Sequence, residues 1–451
     1  MANRYAILDK YNFQVPRYTS YPPATQFKEA ENAELHSAWL GNVTGDVSLY
    51  VHIPFCARLC HYCGCNMRVA NTYEPVSDYL VVLRDEIKKV KAQLKAGVRI
   101  SHLHFGGGSP TILKPGDFSR LVMFLNETFP FDSKIEISVE ADPRNLTEAK
   151  IAAYAQSGVN RISLGVQDFN EEVLTLINRP QPFHVTYRAL QLCRTYGIDQ
   201  INFDLMYGLP GQTRETILRT LEIATSLQPS RISYFGYAHV PWMKKHMNLM
   251  PQERIPGSEE RYTLQESGAW LIEQEGYVPV GIDHFALPGD TMAMALKNGT
   301  LHRNFQGYTT DTAQTLIALG SSSISAFKEG YVQNHPDLRR YMTAIREGML
   351  PSRKFLGFSK YDAPVAHIIE ELMCYLHVDM GKVRQAFGLS APHFDYAYPR
   401  LRALEADGVI TINRNVITVN PEYRVLTRVV CDAFDAYTIR GSMVRQHAPA
   451  V

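Results

Sequence analysis

Six stretches of the chain have the apolar, alternating pattern of β-strands. They are VSLYVHIP (47–54), ISHLHFGGG (100–108), EISVEADP (136–143), RISLGVQDF (161–169), INFDLMYGLP (201–210) and RISYFGYAHV (231–240). Helix-like segments separate them at 76–96, 115–128, 147–157, 182–196 and 214–227. The second of these opens with Pro115 and Asp117, and the third with Asn145 or Thr147 followed by Glu148, all residues that start helices. Gly158 and Gly197 are placed to end the third and fourth by a left-handed turn. Strand and helix alternating at this spacing predict βαβ units and a parallel sheet. Six such strands suggest a full or partial (β/α) barrel, with an open doubly wound sheet as the alternative.

In a barrel of this kind, chemistry gathers at the C-terminal ends of the strands. Polar and special residues fall there: His52 and Pro54, then Gly106, Gly107 and Gly108, then Glu140 and Asp142, then Gln167 and Asp168. Asp204 lies in the fifth strand, and Tyr237 and His239 end the sixth. Polar residues at equivalent positions of six strands favour one shared site over six unrelated loops. The triple glycine permits close backbone approach to a ligand or a tight turn. It is not a phosphate loop, because no G-K-[ST] follows.

Beyond the sixth strand come a helix-like stretch (258–275), GYVPVGIDHFA, and HRNFQGYTT (302–310). LIALGSSSISAF (316–327) is expected to be a loop rich in small residues. After residue 360, helical segments at about 362–378, 381–388 and 394–406 precede VITINRNVITV (409–419), a hairpin turning at Asn413–Asn415. Helices followed by a hairpin resemble a winged helix. The hairpin carries only Arg414 as a charge, which favours a structural or substrate-covering domain over a DNA reader. At the other end, PRYTSYPP and its neighbouring aromatics suggest an ordered arm. The expected organisation is therefore an α/β protein with an arm (1–45), a βα barrel (46–285), a connecting and substrate-covering segment (286–360) and a smaller, mostly helical C-terminal domain (361–451).

Composition narrows the picture. A chain of 451 residues with 45% hydrophobic positions builds packed cores and is not globally disordered. A net charge of +1 argues against a dedicated nucleic-acid binder. No secretory signal and no spanning apolar run is visible, so a soluble, cytoplasmic protein is expected. Four of the seven cysteines, Cys56, Cys60, Cys63 and Cys65, fall within ten residues, while Cys193, Cys374 and Cys431 stand alone. In a reducing compartment, clustered thiols point to a metal or redox centre.

The cluster reads C-x3-C-x2-C with Cys65 two residues beyond. Structural zinc sites draw their ligands from two separated pairs, and four ligands within ten residues would strain a tetrahedral cage. A four-iron cube held by three thiolates leaves one iron open to a small molecule. That reading is favoured over zinc.

With HIPFC, GGGSPT, SLGVQDFN, FDLMYGLPGQT and HRNFQGYTT in order, the chain resembles the oxygen-independent coproporphyrinogen III oxidase (dehydrogenase) family of radical S-adenosylmethionine (SAM) enzymes. The resemblance runs from the arm to the C-terminal domain. It implies a radical SAM partial TIM-like barrel with a winged-helix-like C-terminal domain. It also implies a [4Fe–4S] cluster on Cys56, Cys60 and Cys63, and two SAM molecules. Matching SAM positions are Tyr50, Tyr62, Gly107, Gly108, Ser109, Glu140, Gln167, Arg179, Asp204, Ala238 and Ile324. Ser109 stands where Thr is common in the family and Tyr62 where Phe is common; both are conservative departures. Catalytic positions are Cys65, Tyr50 and Gln306, with Cys65 not a ligand.

The implied substrate is coproporphyrinogen III, two of whose propionates become vinyl groups, with an electron donor and an acceptor that the sequence does not name. Arg17, Arg303 and the Lys244–Lys245 pair are candidates for its carboxylates. Family members tend to be monomers. Rival readings are a haem-binding or haem-delivery relative, a haem-degrading methyl transferase relative, and a zinc module. Haem-delivery relatives lack the fourth cysteine and the arm, both present here.

Overall fold

The computed structural model describes residues 2–30 and 33–440. The remaining positions of the expected arm and C-terminal domain, 1, 31–32 and 441–451, lie outside the described residues.

All six expected strands form: β1 (Asp46–Ile53), β2 (Arg99–Gly107), β3 (Phe131–Ala141), β4 (Arg161–Gln167), β5 (Gln200–Tyr207) and β6 (Arg231–Gly236). They lie side by side in chain order, each parallel to the next. The connecting helices are α1 (Glu74–Gln93), α2 (Pro115–Thr128), α3 (Glu148–Gln156), α4 (Phe183–Thr195) and α5 (Arg214–Ser226). A sixth, α6 (Ser258–Gln274), follows β6. Their starts follow the local chemistry. Pro115 opens α2, and Thr147, rather than Asn145, caps α3 by accepting from the Lys150 N–H. A short helix, Glu171–Leu176, was not expected; Asn170 caps it.

The sheet extends past both sides of this array. β7 (Val278–Val280) and β8 (His284–Ala286) add antiparallel strands beyond β6. On the other side β9 (Leu316–Leu319) lies parallel to β1, followed by antiparallel β10 (Ile324–Phe327), β11 (Gly330–Asn334) and β12 (Ser352–Gly357). Lys28–Glu29 pairs with β12 at that edge. The result is a partial α/β barrel, open between its two edges.

One expectation is corrected here. LIALGSSSISAF is a hairpin of β9 and β10, and only Gly320–Ser323 is the turn. The small residues misled because they mark a tight turn against a buried neighbour, not a loose loop. Gly320 has φ +100, and a Cβ there would lie 2.4 Å from the Tyr79 hydroxyl. The stretch 286–360 thus supplies four of the sheet's strands besides its own short hairpin, His302–Asn304 with Gly307–Thr309.

The strands alternate, apart from bulges at Ser101 of β2 and Val166 of β4. Val47, Leu49, Val51, Leu103, Phe105, Ile137, Val139, Ile162, Leu164, Phe203, Leu205 and Ile232 are buried in one cluster with the inner faces of α1 to α5. The intervening positions point into the barrel and are polar: Ser48, His102, His104, Glu136, Ser138, Glu140, Arg161, Ser163, Asn202, Asp204, Arg231 and Ser233. These side chains line an open cavity in place of the packed apolar centre of a complete barrel, with Leu49, Leu103, Val139, Met206 and Phe235 supplying apolar wall between them.

A second core joins the two ends of the chain. Leu8, Tyr11, Val15, Tyr18 and Tyr21 of the arm pack with Ile368, Leu372, Val383, Leu401, Ile417 and Val430. The C-terminal helices Asp362–Tyr375, Met380–Phe387 and Tyr398–Ala406 stand beside a three-stranded sheet whose hairpin, Ile410–Asn413 and Val416–Val419, turns at Arg414 with φ +55. Helix Ala33–Asn42 behaves differently: its Trp39 and Leu40 enter the barrel's core.

Glu86 of α1 ties β9, β11 and the helix Leu338–Arg346 together. It accepts from Gly320 N (2.8 Å), Asn334 Nδ2 (2.7 Å) and the Tyr341 hydroxyl (2.6 Å). Burial raises its carboxyl from the ordinary 4.5 to about 7, against the pull of those three donors. The folded carboxyl therefore holds its proton at pH values where the unfolded one has lost it. The resulting stabilisation, on the order of 3 kcal/mol, is fully present below about pH 4.5 and is lost as pH rises through about 7. We expect Glu86→Gln to flatten the fall in stability between pH 5 and 7.5. Urea unfolding of the metal-free protein at both pH values measures it, and an unchanged slope would refute the assignment.

Candidate active site

The cysteine loop leaves β1 at the C-terminal mouth of the barrel. Its position is held by backbone ties: Arg68 N to Pro54 O (2.8 Å), Ala70 N to Cys56 O (3.0 Å) and His61 N to Ile177 O (2.9 Å). Asn178 Nδ2 donates to Leu59 O at 2.8 Å. Cys56, Cys60, Cys63 and Cys65 all line one cavity of about 800 Å³. All seven cysteines are free thiols. Burial raises the Cys56 thiol, whereas the hydrogen bond from Cys65 lowers that of Cys63 to about 6. Cys65 is exposed to the cavity itself.

The glycine wall faces this loop. Gly107 has φ +112, and a Cβ there would meet the His52 ring at 2.7 Å; one on Gly108 would meet the Phe55 backbone at 2.7 Å. Glu140, at the end of β3, accepts from Gly107 N (3.2 Å) and lies 3.3 Å from His104 Nε2. Burial alone would raise its carboxyl, but the His104 hydrogen bond and charge and the Gly107 N–H hold it below the usual range. Asp204 is bound by Ser163 Oγ and Asn202 Nδ2, both at 2.8 Å. Burial, assisted by the nearby Glu140, raises Asp204 to about 6 despite those donors.

Two arginines reach the cysteine loop from behind. Arg179 Nη2 donates to Gly165 O (2.6 Å) and its Nη1 lies 3.5 Å from the Cys60 sulfur. Arg144 makes a fork with Asp142 (2.7 and 2.9 Å) and approaches the same sulfur at 3.6 Å. Among the described residues, Arg179 Nε and Arg144 Nη1 are buried without a hydrogen-bond partner.

At the opposite end, ion pairs close the barrel floor. Arg231 bonds Asp290 (2.7 Å) and Thr291 (2.9 Å), Arg161 meets Glu136 (3.1 Å), and His102 meets Asp311 (3.0 Å). Ser48 also donates to Asp311.

Fourteen of the sixteen residues singled out from the sequence line this cavity: the four cysteines, Tyr62, Gly107, Gly108, Ser109, Glu140, Gln167, Arg179, Asp204, Ala238 and Gln306. Tyr50 and Ile324 do not. Tyr50 is turned onto the ring of the cavity-lining His104 (5.8 Å between centroids) and bonded to His52 Nδ1 (3.1 Å). Ile324 opens β10 opposite Gln333. Of the carboxylate-binding candidates, Arg17 lines the cavity, whereas Arg303 lies over the Tyr308 ring (4.4 Å) and donates to Tyr18 O (3.3 Å). Lys244 donates to Cys65 O at 2.9 Å, and neither it nor the exposed Lys245 lines the cavity, so the pair does not join the carboxylate-binding set.

Asp168, although it follows a strand, is buried away from the cavity on Thr220, Gln212 Nε2 (2.6 Å) and Asn170 N (2.8 Å). The sequence reading missed His104, Ser138, Ser163, Asn202 and Ser233 as cavity residues. The signal was present as polar side chains at every second position of otherwise apolar strands.

No three or more His, Cys, Asp and Glu among the described residues are gathered closely enough for a single metal ion. A four-iron cube takes one thiolate per iron and needs no such convergence. Three thiols on one loop, two orphaned arginine donors beside Cys60 and a Cβ-free wall fit an anionic cluster with a small-molecule ligand beside it.

Comparison with known proteins agrees with this geometry. The pattern of the Radical SAM superfamily matches residues 50–224, the part of the chain that carries the cysteine loop and β2 to β5. The protein is accordingly a radical SAM oxidoreductase, a class that uses a [4Fe–4S] cluster and SAM. An oxygen-independent coproporphyrinogen III oxidase of Cereibacter sphaeroides is 40% identical over 432 residues, covering 95% of this chain and 96% of the relative. One from Paracoccus denitrificans is 39% identical over 438 residues, covering 96% and 97%. A solved structure of the Escherichia coli coproporphyrinogen III oxidase, described as a radical SAM enzyme, superposes with a TM-score of 0.90 at 36% identity, covering 96% of this chain and 98% of that one. The chain belongs to the oxygen-independent coproporphyrinogen III oxidase family.

Gly107 offers a direct test of the close-packed wall. We expect Gly107→Ala to lower stability by roughly 1–3 kcal/mol and to weaken SAM binding, because φ +112 and the His52 ring both resist a Cβ. Gly45→Ala, with φ +76 and nothing within 4 Å, should cost less. Denaturant unfolding and calorimetric SAM titration measure both, and equal losses would show that the His52 contact adds nothing.

Proposed function

We propose that this protein converts two propionate side chains of coproporphyrinogen III to vinyl groups without O2, giving protoporphyrinogen IX for haem synthesis. The reading is supported above all by one cavity shared by the three-cysteine loop, the fourth cysteine and the strand-end acids. Cys56, Cys60 and Cys63 would hold the cluster, and Cys65 would not be a ligand. When bound, the cluster supplies the electron that cleaves SAM to the radical taking a hydrogen atom from the propionate β-carbon. The remaining electron leaves with CO2 departure to an acceptor of another class than O2.

The chain's own residues supply binding and charge. Glu140, held ionised, offers lone pairs to a ribose hydroxyl or an ammonium group of SAM. Arg179 and Arg144 set positive charge beside the Cys60 sulfur, where an anionic cluster would sit. Gly107, Gly108 and Ser109 let ligand atoms approach the backbone, with Tyr62, Gln167, Ala238 and Asp204 on the other walls. Tyr50 and Ile324 keep the SAM roles that the family pattern implies, although neither lines the cavity. Gln306 and Arg17, on the open side, face the substrate. Two SAM molecules, a monomeric state and a cytoplasmic location complete the proposal. No helix among the described residues is long and apolar enough to cross a membrane.

Anaerobic reconstitution with iron and sulfide, then SAM, reductant and coproporphyrinogen III, tests the whole reading by release of CO2 and of the divinyl product. SAM cleavage without decarboxylation would favour a haem-delivery role instead. Within that assay, Cys65→Ser should keep the cluster and lose turnover. Iron loss matching that of Cys63→Ser would make Cys65 a ligand.

Asp204 adds a pH test. Its carboxylate accepts hydrogen bonds above about pH 6 and takes a proton below it. SAM affinity should therefore fall as pH drops from 7.5 to 5, and Asp204→Asn should remove most of that dependence. A wild-type affinity constant across the range would exclude Asp204 from the SAM site.

A further inference from the structure

The segment 240–250 lies directly on the cysteine loop. Lys244 Nζ donates to Cys65 O at 2.9 Å, and His246 Nε2 is 2.8 Å from Cys63 O. Met247 and Met250 are buried beneath the segment, in a small core against which Tyr62 packs. The other side of the segment faces outward with large apolar groups, Trp242 47% and Leu249 64% exposed, while Met243 between them in the chain lines the cavity.

Charge is concentrated in the same place. The cysteine loop (55–70) and the segment 240–250 together contain Arg58, Arg68, Lys244 and Lys245 and no acidic residue, in a chain whose net charge is +1. Arg68 is paired with Asp337 (3.3 Å). Lys245 is exposed, and so is Arg58, which stands where the cavity lining meets the outer surface. An apolar centre with a basic rim is the surface on which an acidic protein docks transiently.

Building on the radical SAM reading, we propose that Trp242, Lys245 and Leu249, with Arg58 at the rim, form the docking surface for an acidic one-electron carrier protein that reduces the cluster. The placement carries the inference: Lys244 and His246, flanking Lys245 in the same segment, touch the carbonyls of Cys65 and Cys63, so a carrier seated on this segment sits against the cysteine loop. Each encounter transfers one electron from the carrier's reduced flavin or iron–sulfur group to the protein. The carrier leaves oxidised by one electron, and no bond is made or broken at the surface. Such contacts are small and rely on charge to speed encounter, so they weaken with salt.

The experiment uses the reconstituted full chain and a reduced flavodoxin as the probe. Bleaching of cluster absorbance in stopped flow gives the second-order rate of reduction, and titration of the metal-free protein with flavodoxin gives affinity independently of the cluster. Lys245→Glu and Leu249→Glu should each slow reduction by flavodoxin at least tenfold and weaken binding in parallel. Both should leave reduction by dithionite unchanged, and Lys245→Arg should restore the wild-type rate. The wild-type rate should fall steeply with added salt.

Unchanged flavodoxin rates in both acidic variants would overturn the proposal. An equal loss with dithionite would also overturn it, by showing damage to the cluster loop. Tight binding of the patch to anionic lipid vesicles, lost in the variants with no change in reduction rate, would assign the surface to a membrane instead. Failure of the wild-type protein to form a cluster or to decarboxylate with dithionite would count against the proposed function, not against the surface.

Discussion

The structure depends on one constraint: seven parallel strands in which every second side chain must face the helices. Apolar residues at those positions form a single core with α1 to α5. The alternate positions are thereby released from packing duty, and in this chain they are polar. Parallel pairing then sets their heights. Ile53 lies beside Gly107, Glu140 beside Ser163, Gly165 beside Asp204 and Tyr207 beside Gly236. A one-residue slip in any strand would turn its acids toward the helices and its valines into the cavity. The site is therefore as stable as the outer layer and needs no apolar centre of its own.

A polar interior must still satisfy its charges, and the two ends do so differently. At the floor, Arg161, Arg231 and His102 face Glu136, Asp290 and Asp311, three cationic partners to three acids. Burial and the neighbouring Arg161 lower Arg231 to about 10, the effect of cations held close in a low-dielectric setting. At the mouth, Arg144 and Arg179 share the single carboxylate Asp142, leaving positive charge beside Cys60. The balanced end is closed structure and the unbalanced end is where an anionic group belongs. The polarity of the barrel, chemistry at strand C-termini and closure at N-termini, thus appears in its charge balance as well as in its topology.

Much of this was legible in the sequence, because strand periodicity and helix caps are local. The six strands and the intervening helices lie within a few residues of their expected positions, apart from β3, which starts five residues early at Phe131. The cysteine loop was legible from four cysteines in ten residues, the glycine wall and Glu140 from their place at strand ends, and Asp204 as an acid within an otherwise apolar strand. What escaped was non-local. The strand β9 was hidden in a stretch rich in small residues, since only the distant Tyr79 and Glu86 explain Gly320 and its neighbours. Asp168 looked like a site residue because its partners Gln212 and Thr220 come from a later loop and helix. The inward-facing His104, Ser163 and Asn202 needed the alternation to be read for its polar half as well as its apolar half.

The arm shows the same limit from the other direction. Its aromatics predicted order, but not where it would lie. Tyr18 and Tyr21 are buried with the C-terminal helices rather than with the barrel, and the Tyr18 hydroxyl donates to Asp435 at 3.0 Å. Between them in space stands Arg303 of the short hairpin, which donates to Tyr18 O while its neighbour Gln306 lines the cavity. Arg17 lines that cavity immediately before Tyr18. The two ends of the chain thus share one hydrophobic core whose edge is a wall of the site. Burial of Tyr18 contributes to two things at once: the stability of that core and the placement of the Arg17 guanidinium over the open side. A residue at position 18 is therefore constrained by folding and by the site together, which accounts for the irregular, proline-rich stretch 15–23 being held in place between the helices Ala2–Lys10 and Ala33–Asn42.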